Sequence, residues 1–422
     1  MRCYSRTQMR STNLALSCAL AVLLGCSLDW TTVDSGKDSS TLPGNTLDAG
    51  DQGQGLDAAA PDENQNDAAM AQGEASADSV DAGEPPCTAA CCKKHTDCAA
   101  PQGGHGSGEC TPVHACGIRC DEGFFACSDN TCAGARSCCG QPKTCGQKGD
   151  EDCCLNIALP GGTFNRVNDS LAKATLSPFR MDKFEVTVAR FRAFMNEEDP
   201  PKKLLGNGTQ QHPPSEGAGK NPHNASDKGW LTSGYNSALV GTNEDLKQIL
   251  SNPSDGDGLC TFTEYPGTAN DVMALNCVTW YEAFAFCAWD GGRLPSDAEW
   301  NFAAAGGSMQ RVYPWGTDDP DAAHVYKGTS PGPVGQRPAG AGLWGHMDLS
   351  GNVAEWVRDA EGESPIGPCN DCSYASMDPD VAYGHVLRGG NYASDQGASF
   401  STTTRWAGGP THSMYTGIRC VR

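Results

Sequence analysis

Val278-Thr279-Trp280-Tyr281-Glu282-Ala283-Phe284-Ala285-Phe286-Cys287-Ala288-Trp289-Asp290-Gly291-Gly292-Arg293-Leu294-Pro295-Ser296-Asp297-Ala298-Glu299-Trp300 is the stretch that decides the fold. Thr279 and Glu282 stand at capping-box spacing, where each side chain satisfies a backbone amide of the other. The box opens a helix through Ala283 to Trp289, and Gly291-Gly292 stop it. Ser296 and Glu299 repeat the device ahead of a short helix through Trp300, Phe302 and Ala303, which ends at Gly306-Gly307. Toward the N-terminus, Pro160-Gly161-Gly162-Thr163-Phe164 reads as a turn into a strand. Val188 to Met195 is apolar at helical spacing, with Thr187 as candidate N-cap. Residues 199–270 read as a long irregular insertion rich in Asn, Gly and Pro. Beyond Gly307 the chain is Gly-rich, with scattered Trp and few periodic runs. The fold class is therefore α+β with much irregular structure.

The rest of the 422-residue chain is organised by charge and cysteine. Fifty-one acidic residues against 30 basic ones give a net charge of -21, which argues against a nucleic-acid partner. Arg2, Arg6 and Arg10 precede an apolar stretch from Leu14 to Leu24, too short to span a bilayer. This pattern reads as an export signal over residues 1–26. Leu23-Leu24-Gly25-Cys26 looks like a bacterial lipobox, which makes Cys26 a lipidation site and the membrane a partner through acyl chains. Ser27 after the cysteine points to the outer membrane of a bacterial cell envelope. An ordinary signal with a chance cysteine is the alternative. Residues 27–86 hold thirteen acidic residues and one Lys, and no aromatic after Trp30. They read as a disordered, self-repelling tether.

Residues 87–154 hold fourteen of the 23 cysteines, with Phe124 and Phe125 as their aromatics. Crosslinks must stand in for the missing core. His95, His105 and His114 are interspersed, so zinc is the competing reading, but the spacings do not repeat as CxxC pairs. Disulfides are expected. Residues 155–422 form the domain proper, with six cysteines. Cys369-Asn370-Asp371-Cys372 is a CxxC; nothing around it suggests a thioredoxin-like unit, so a local disulfide is expected. Cys260 with Cys277 is expected to close the end of the insertion.

Several blocks carry a resemblance. Val278 to Ala283, Cys287-Ala288-Trp289 and Gly292 to Trp300 resemble the helix-and-turn signature of the formylglycine-generating enzyme (sulfatase-modifying factor) family. Tyr313-Pro314-Trp315-Gly316, Asp348 to Trp356, Leu387-Arg388-Gly389-Gly390 and Gly417-Ile418-Arg419-Cys420 continue it in order, over about residues 157–422. The resemblance implies a variant of the C-type-lectin-like fold. It implies a disulfide between Cys287 and Cys420, which in the chain-entropy model contributes about 4 kcal/mol or more. It also implies a calcium site at Asp348, the carbonyls of Gly351 and Val353, and Glu355. A second calcium site would fall around His324 and Val325, where no acidic ligand segment is recognisable.

Active members of the family use copper held by two thiolates, between the Arg-Gly-Gly block and the last one. Here that interval, Asn391 to Thr416, contains no cysteine; Tyr392, Ser394, Gly397, Ser399 and Thr402 occupy it. Hydroxyls do not replace thiolates on Cu(I), so no catalytic residue is named by analogy. The histidines have no HxH or HxxxH spacing, and there is no nucleophile elbow, P-loop or dinucleotide fingerprint. Trp280, Trp289, Trp300 and Trp356 read as core anchors. Two functions stay open. One is a binding or scaffold protein for an exported protein, peptide or glycan. The other is an oxidoreductase of the same family that works without a dithiol.

Overall fold

The computed structural model describes residues 92, 94–102, 104–111, 115–121, 124–196, 213–251, 259–362, 367–374, 384–395 and 397–422. The readings of the signal, Cys26, the tether, Cys87 and Cys91 lie outside these residues. The elements in chain order begin with β1 (Gly106–Cys110), β2 (Cys116–Cys120), β3 (Phe125–Ala126) and β4 (Cys132–Ala133). Then come β5 (Asn156–Leu159), β6 (Gly162–Asn165), β7 (Lys173–Leu176) and β8 (Phe179–Asp182). Five helices follow: α1 (Val188–Asn196), α2 (Thr232–Tyr235), α3 (Asn243–Ser251), α4 (Trp280–Trp289) and α5 (Asp297–Ala305). The chain finishes with β9 (Ala354–Ala360), β10 (Cys369–Asn370), β11 (His385–Arg388), β12 (Trp406–Gly408) and β13 (Thr416–Gly417).

Both capping boxes form. Thr279 Oγ1 accepts from Glu282 N, while Glu282 Oε2 accepts from Thr279 N at 2.9 Å. Ser296 and Glu299 do the same at the start of α5, and Gly306 ends that helix in the left-handed region. Neither helix is amphipathic. Trp280 through Cys287 and all nine residues of α5 are buried, so both run through the interior. Around α4 lies the main apolar cluster, with Trp230, Tyr235, Phe191, Phe194, Phe286 and Trp356.

The described part of the insertion, 213–251 and 259–270, holds regular structure that its composition does not suggest. Its α3 carries Leu246 and Leu250 four residues apart, both buried in the main core. Thr242 Oγ1 accepts from Asp245 N at 3.0 Å, a local cap at the start of α3. Trp230 and Tyr235 from the same insertion meet Phe284 and Trp280 edge to face.

The central sheet has the order β12-β11-β9-β13, with β13 parallel to β9 and β11 antiparallel to it. All seven residues of β9 are buried, charged ones included. Each charge has a distant partner: Arg358 reaches Asp227 at 3.3 Å, and Glu355 meets Arg419 at 2.6 Å. A second sheet, β10-β7-β6, and the β5-β8 ribbon cover the other flank.

All eighteen described cysteines are bonded. Six bridges lie in the cysteine-dense stretch: Cys92–Cys110, Cys98–Cys116, Cys120–Cys132, Cys127–Cys139, Cys138–Cys154 and Cys145–Cys153. The other three are Cys260–Cys277, Cys287–Cys420 and Cys369–Cys372. The last two bridges of the stretch share an apolar cluster with Phe184, Val334, Met347 and Val353. Arg190 ties that cluster down: Nε donates to Ser137 Oγ at 2.9 Å, and its two Nη atoms reach Asp182 at 2.9 Å and Asp290 at 2.6 Å. Burial opposes the charge on Asp182, yet Arg190 and Arg422 hold its carboxyl below the usual range. This part of the stretch is built into the domain rather than hung from it.

Candidate functional site

Two segments meet behind β9 and β11: the Asp348–Val353 turn and the loop from Asn391 to Thr404. The Arg388-Gly389-Gly390 block brings them together. Gly390 has φ 69°, and a Cβ there would sit 2.8 Å from Ser399 O, so only glycine lets the loop pass this close. Gly351 is equally constrained, with φ 89° and space for a Cβ only 2.4 Å from Val325.

The loop is pinned from several elements. Asn301 of α5 donates to Thr402 O at 2.8 Å, and Ser350 Oγ donates to Phe400 O at 2.8 Å. Arg388 of β11 donates to Thr402 O at 3.2 Å and Thr404 O at 2.9 Å, while its Nε pairs with Asp297. The hydroxyls turn inward too. Thr402 Oγ1 donates to Arg311 O at 2.7 Å, Thr404 Oγ1 donates to Ala398 O at 2.6 Å, and Ser394 Oγ accepts from Asn391 N at 3.1 Å. Beside the loop, Tyr313, Trp315 and His324 form a parallel stack at 5.1 and 4.8 Å, with His324 Nδ1 on Asp321 at 2.7 Å.

Behind the turn, Arg419 is the hub of a buried charge cluster. Its Nε lies 3.0 Å from both Glu355 oxygens, and Nη2 donates to Glu355 Oε1 at 2.6 Å. Trp300 Nε1 donates to Glu355 Oε2 at 2.7 Å. Asp348 accepts from Gly335 N; burial pushes its carboxyl up to about 6, against the pull of that amide and Arg419. Glu185 accepts from Val353 N at 3.1 Å, and burial, with Asp348 and Glu355 adding to it, holds its carboxyl well above the usual range.

The family model described as the sulfatase-modifying factor enzyme 1-like domain matches residues 142–422. The chain belongs to this family. The matched span starts inside the cysteine-dense stretch, at the bridges that pack on the domain. The inactive C-alpha-formylglycine-generating enzyme 2 of Bos taurus is 28% identical over 306 residues, covering 63% of this chain and 87% of that protein. The formylglycine-generating enzyme of Thermomonospora curvata is 31% identical over 302 residues, covering 63% of this chain and 92% of that protein. Hercynine oxygenase of Mycobacterium tuberculosis is 33% identical over 167 residues, 36% of this chain and 38% of that protein. The solved structure of PvdO from Pseudomonas aeruginosa is 19% identical, covers 63% of this chain and 93% of that one, and superposes with a TM-score of 0.39.

Within the family domain, the donors expected for calcium do not fit an ion as they are arranged. Three N–H donors, two from Arg419 and one from the Trp300 indole, already occupy most of the about four lone-pair sites of the Glu355 carboxylate. A cation at Glu355 would also face the Arg419 charge at close range. The interval from Asn391 to Thr416 contains no cysteine. Among the described residues, cysteines cluster at Cys92, Cys98 and Cys116 and at Cys138 and Cys154 with Asp152. All of these cysteines are consumed in bridges, which removes them as metal ligands.

The sequence-predicted residues thus part company. Cys287 and Cys420 are bonded across the core, Cys260 and Cys277 close the insertion, and Cys369 and Cys372 bond to each other. Glu355 pairs with Arg419, and Asp348 accepts from the Gly335 amide. Sequence reasoning missed both Arg419 and Glu185 as members of the cluster. Arg419 left a signal: an arginine between Ile418 and Cys420, at a position flanked by buried residues, requires a buried acid. Glu185, between Phe184 and Val186, left the same one. Two histidines are equally interior: burial lowers His346 and His385 to about 3, so both stay neutral at any physiological pH.

Proposed function

We propose that this chain is a binding or scaffold member of the sulfatase-modifying factor family, without the copper-dependent oxidation of its active relatives. The observation that carries it is the Asn391–Thr404 loop. It has no thiol, and its backbone and several hydroxyls are spent on internal hydrogen bonds. The similarity to a protein named as an inactive formylglycine-generating enzyme supports the same reading. The ligand class is an exported protein, a peptide or a glycan.

Oxygen uptake with copper or iron over a panel of cysteine-containing peptides tests this. Uptake no higher than that of the metal-only blank, together with retention of a peptide or glycan on an array, is the expected result. Turnover above the blank overturns it. A second reading, an oxidoreductase acting without a dithiol, draws support from the similarity to hercynine oxygenase, and the same assay decides between the two.

Attachment belongs to the proposal as well. Arg2, Arg6 and Arg10, the short apolar run and Leu23-Leu24-Gly25-Cys26 support export followed by lipidation at Cys26, in the outer membrane. Among the described residues no helix is long and apolar enough to cross a membrane. Labelled palmitate should enter the full chain in its bacterial host, and Cys26→Ser should lose the label and leave the membrane fraction. Retention of both by the variant overturns the anchor.

A further inference from the structure

We propose that Cys369–Cys372 is a thiol–disulfide exchange site that accepts electrons from a cysteine pair of an exported protein, a function separate from ligand binding. The two cysteines bond across Asn370 and Asp371 at the edge of the β10-β7-β6 sheet. Cys369 is half-buried and Cys372 is buried, so an incoming thiolate meets Cys369 first. Cys287 and Cys420 have no exposed surface, whereas Cys260 is half-buried and Cys116 exposed, so it is the short loop rather than access alone that sets Cys369–Cys372 apart.

The loop around the pair has anchors besides the bond. Cys369 and Asn370 pair in parallel with Ala174 and Thr175. Asp371 N donates to Thr175 O at 2.9 Å, and the Asp371 carboxylate accepts from Ser177 N at 2.7 Å and Ser177 Oγ at 2.8 Å. Arg166 Nη2 donates to Gly367 O at 2.6 Å just upstream. These anchors fix the segment on β7 and Ser177 through bonds that do not involve the sulfurs. The bond also spans a sequence separation of only 3, against 8 to 133 for the other described bridges. In the chain-entropy model a bond closing so short a loop adds least to stability, so opening it costs the fold least. A pair that opens without unfolding its host is what reversible exchange requires.

The step balances. A substrate thiolate attacks Cys369 Sγ, the bond between the cysteines breaks, and its electron pair leaves on Cys372 Sγ, which takes up a proton. The second substrate thiolate attacks its own sulfur in the mixed disulfide and releases Cys369 as a thiol. The substrate dithiol is oxidised by two electrons, and the Cys369–Cys372 disulfide is reduced by two. A second disulfide, from a small molecule or a protein of the same compartment, restores the pair by the reverse exchange.

The test uses the full chain in glutathione buffer, quenched at intervals with an alkylating reagent and mapped by mass spectrometry. Cys369 and Cys372 should be modified together about tenfold faster than Cys260, Cys277, Cys287 or Cys420, with tryptophan fluorescence unchanged. Modification in step with Cys287 and Cys420, or only as fluorescence changes, overturns the proposal. In a second arm the oxidised protein is mixed with a synthetic peptide bearing two cysteines. The peptide should lose its thiols, and the double variant Cys369→Ala/Cys372→Ala should lose that activity while keeping its unfolding midpoint. Peptide oxidation undiminished in the variant assigns the exchange to another bridge and overturns the proposal.

Discussion

The outer part of the cysteine-dense stretch and the domain beneath it keep their shape by opposite means. Between Cys92 and Ala133, two-stranded ribbons are riveted by Cys92–Cys110, Cys98–Cys116 and Cys120–Cys132, and the one described ring stack is His105 on Phe124. In the domain, Trp230, Trp280, Trp300 and Trp356 are buried, and arginines run through the interior with acidic partners. The first region is held by covalent bonds between neighbours, the second by contacts between residues far apart in sequence. Damage should therefore stay local in the first and spread in the second. The exception is Cys287–Cys420, a long covalent tie placed inside the domain.

That exception sets the largest expected effect. Its sequence separation is 133, and Cys287→Ala/Cys420→Ala should cost about 5 kcal/mol of unfolding free energy in the chain-entropy model. Denaturant titration reads it; a loss under about 2 kcal/mol would mean that the strands β9 and β13 hold the C-terminal segment by themselves. Next comes Arg419→Ala. It leaves Glu355 buried without its cation and should cost about 3–5 kcal/mol. Arg419→Met paired with Glu355→Leu should recover much of this, and no recovery would show that Arg419 matters through its bonds to backbone carbonyls instead.

A third prediction turns on pH. His385 lies flat on Trp280, with ring centroids 3.7 Å apart, and titrates near 3 rather than 6.5. Between those values the unfolded chain binds a proton that the folded chain does not. Stability therefore falls as pH drops, by about 1.4 kcal/mol per pH unit for each such histidine. His385→Gln should make the decline between pH 6 and pH 4 shallower by roughly that amount, and an unchanged slope would refute the assignment. Smaller still is Thr279→Ala, which removes one arm of a capping box and should cost about 1 kcal/mol. The smallest expected effect is none: EGTA should leave the unfolding midpoint in place, because Arg419 and Trp300 already donate to Glu355 and the Arg419 charge opposes a cation there. A midpoint that rises with added calcium would show Arg419 giving way.

The same contrast explains what could be read from the chain alone. The capping boxes of α4 and α5 were legible because each is settled within four residues. Helix α3 was missed although Thr242 and Asp245 mark its start, because the Asn, Gly and Pro around it dominate a composition-based reading. The strand β9 was opaque for a different reason. Glu355, Arg358 and Asp359 look like a solvated face until their partners Arg419, Asp227 and the Asp297 amide are known, and those lie 62 to 131 positions away. The Arg190 bond to Ser137, 53 positions off, hid the docking of the bridged stretch in the same way. At the candidate site the turn and the loop were visible as blocks, but the cation that closes the turn was not.

The late closing segment has a consequence for how the molecule is made. Ile418 packs in the main core, Cys420 bonds to Cys287, and Val421 exchanges backbone hydrogen bonds with Arg293. Until residues 418–421 have left the ribosome, Cys287 is an unpaired thiol and the interior has an open side. Every earlier cysteine is synthesised first and is available to it as a wrong partner. Maturation must then wait for Cys420, 133 positions after Cys287, and reshuffling of any premature bridge at Cys287 adds a slow step.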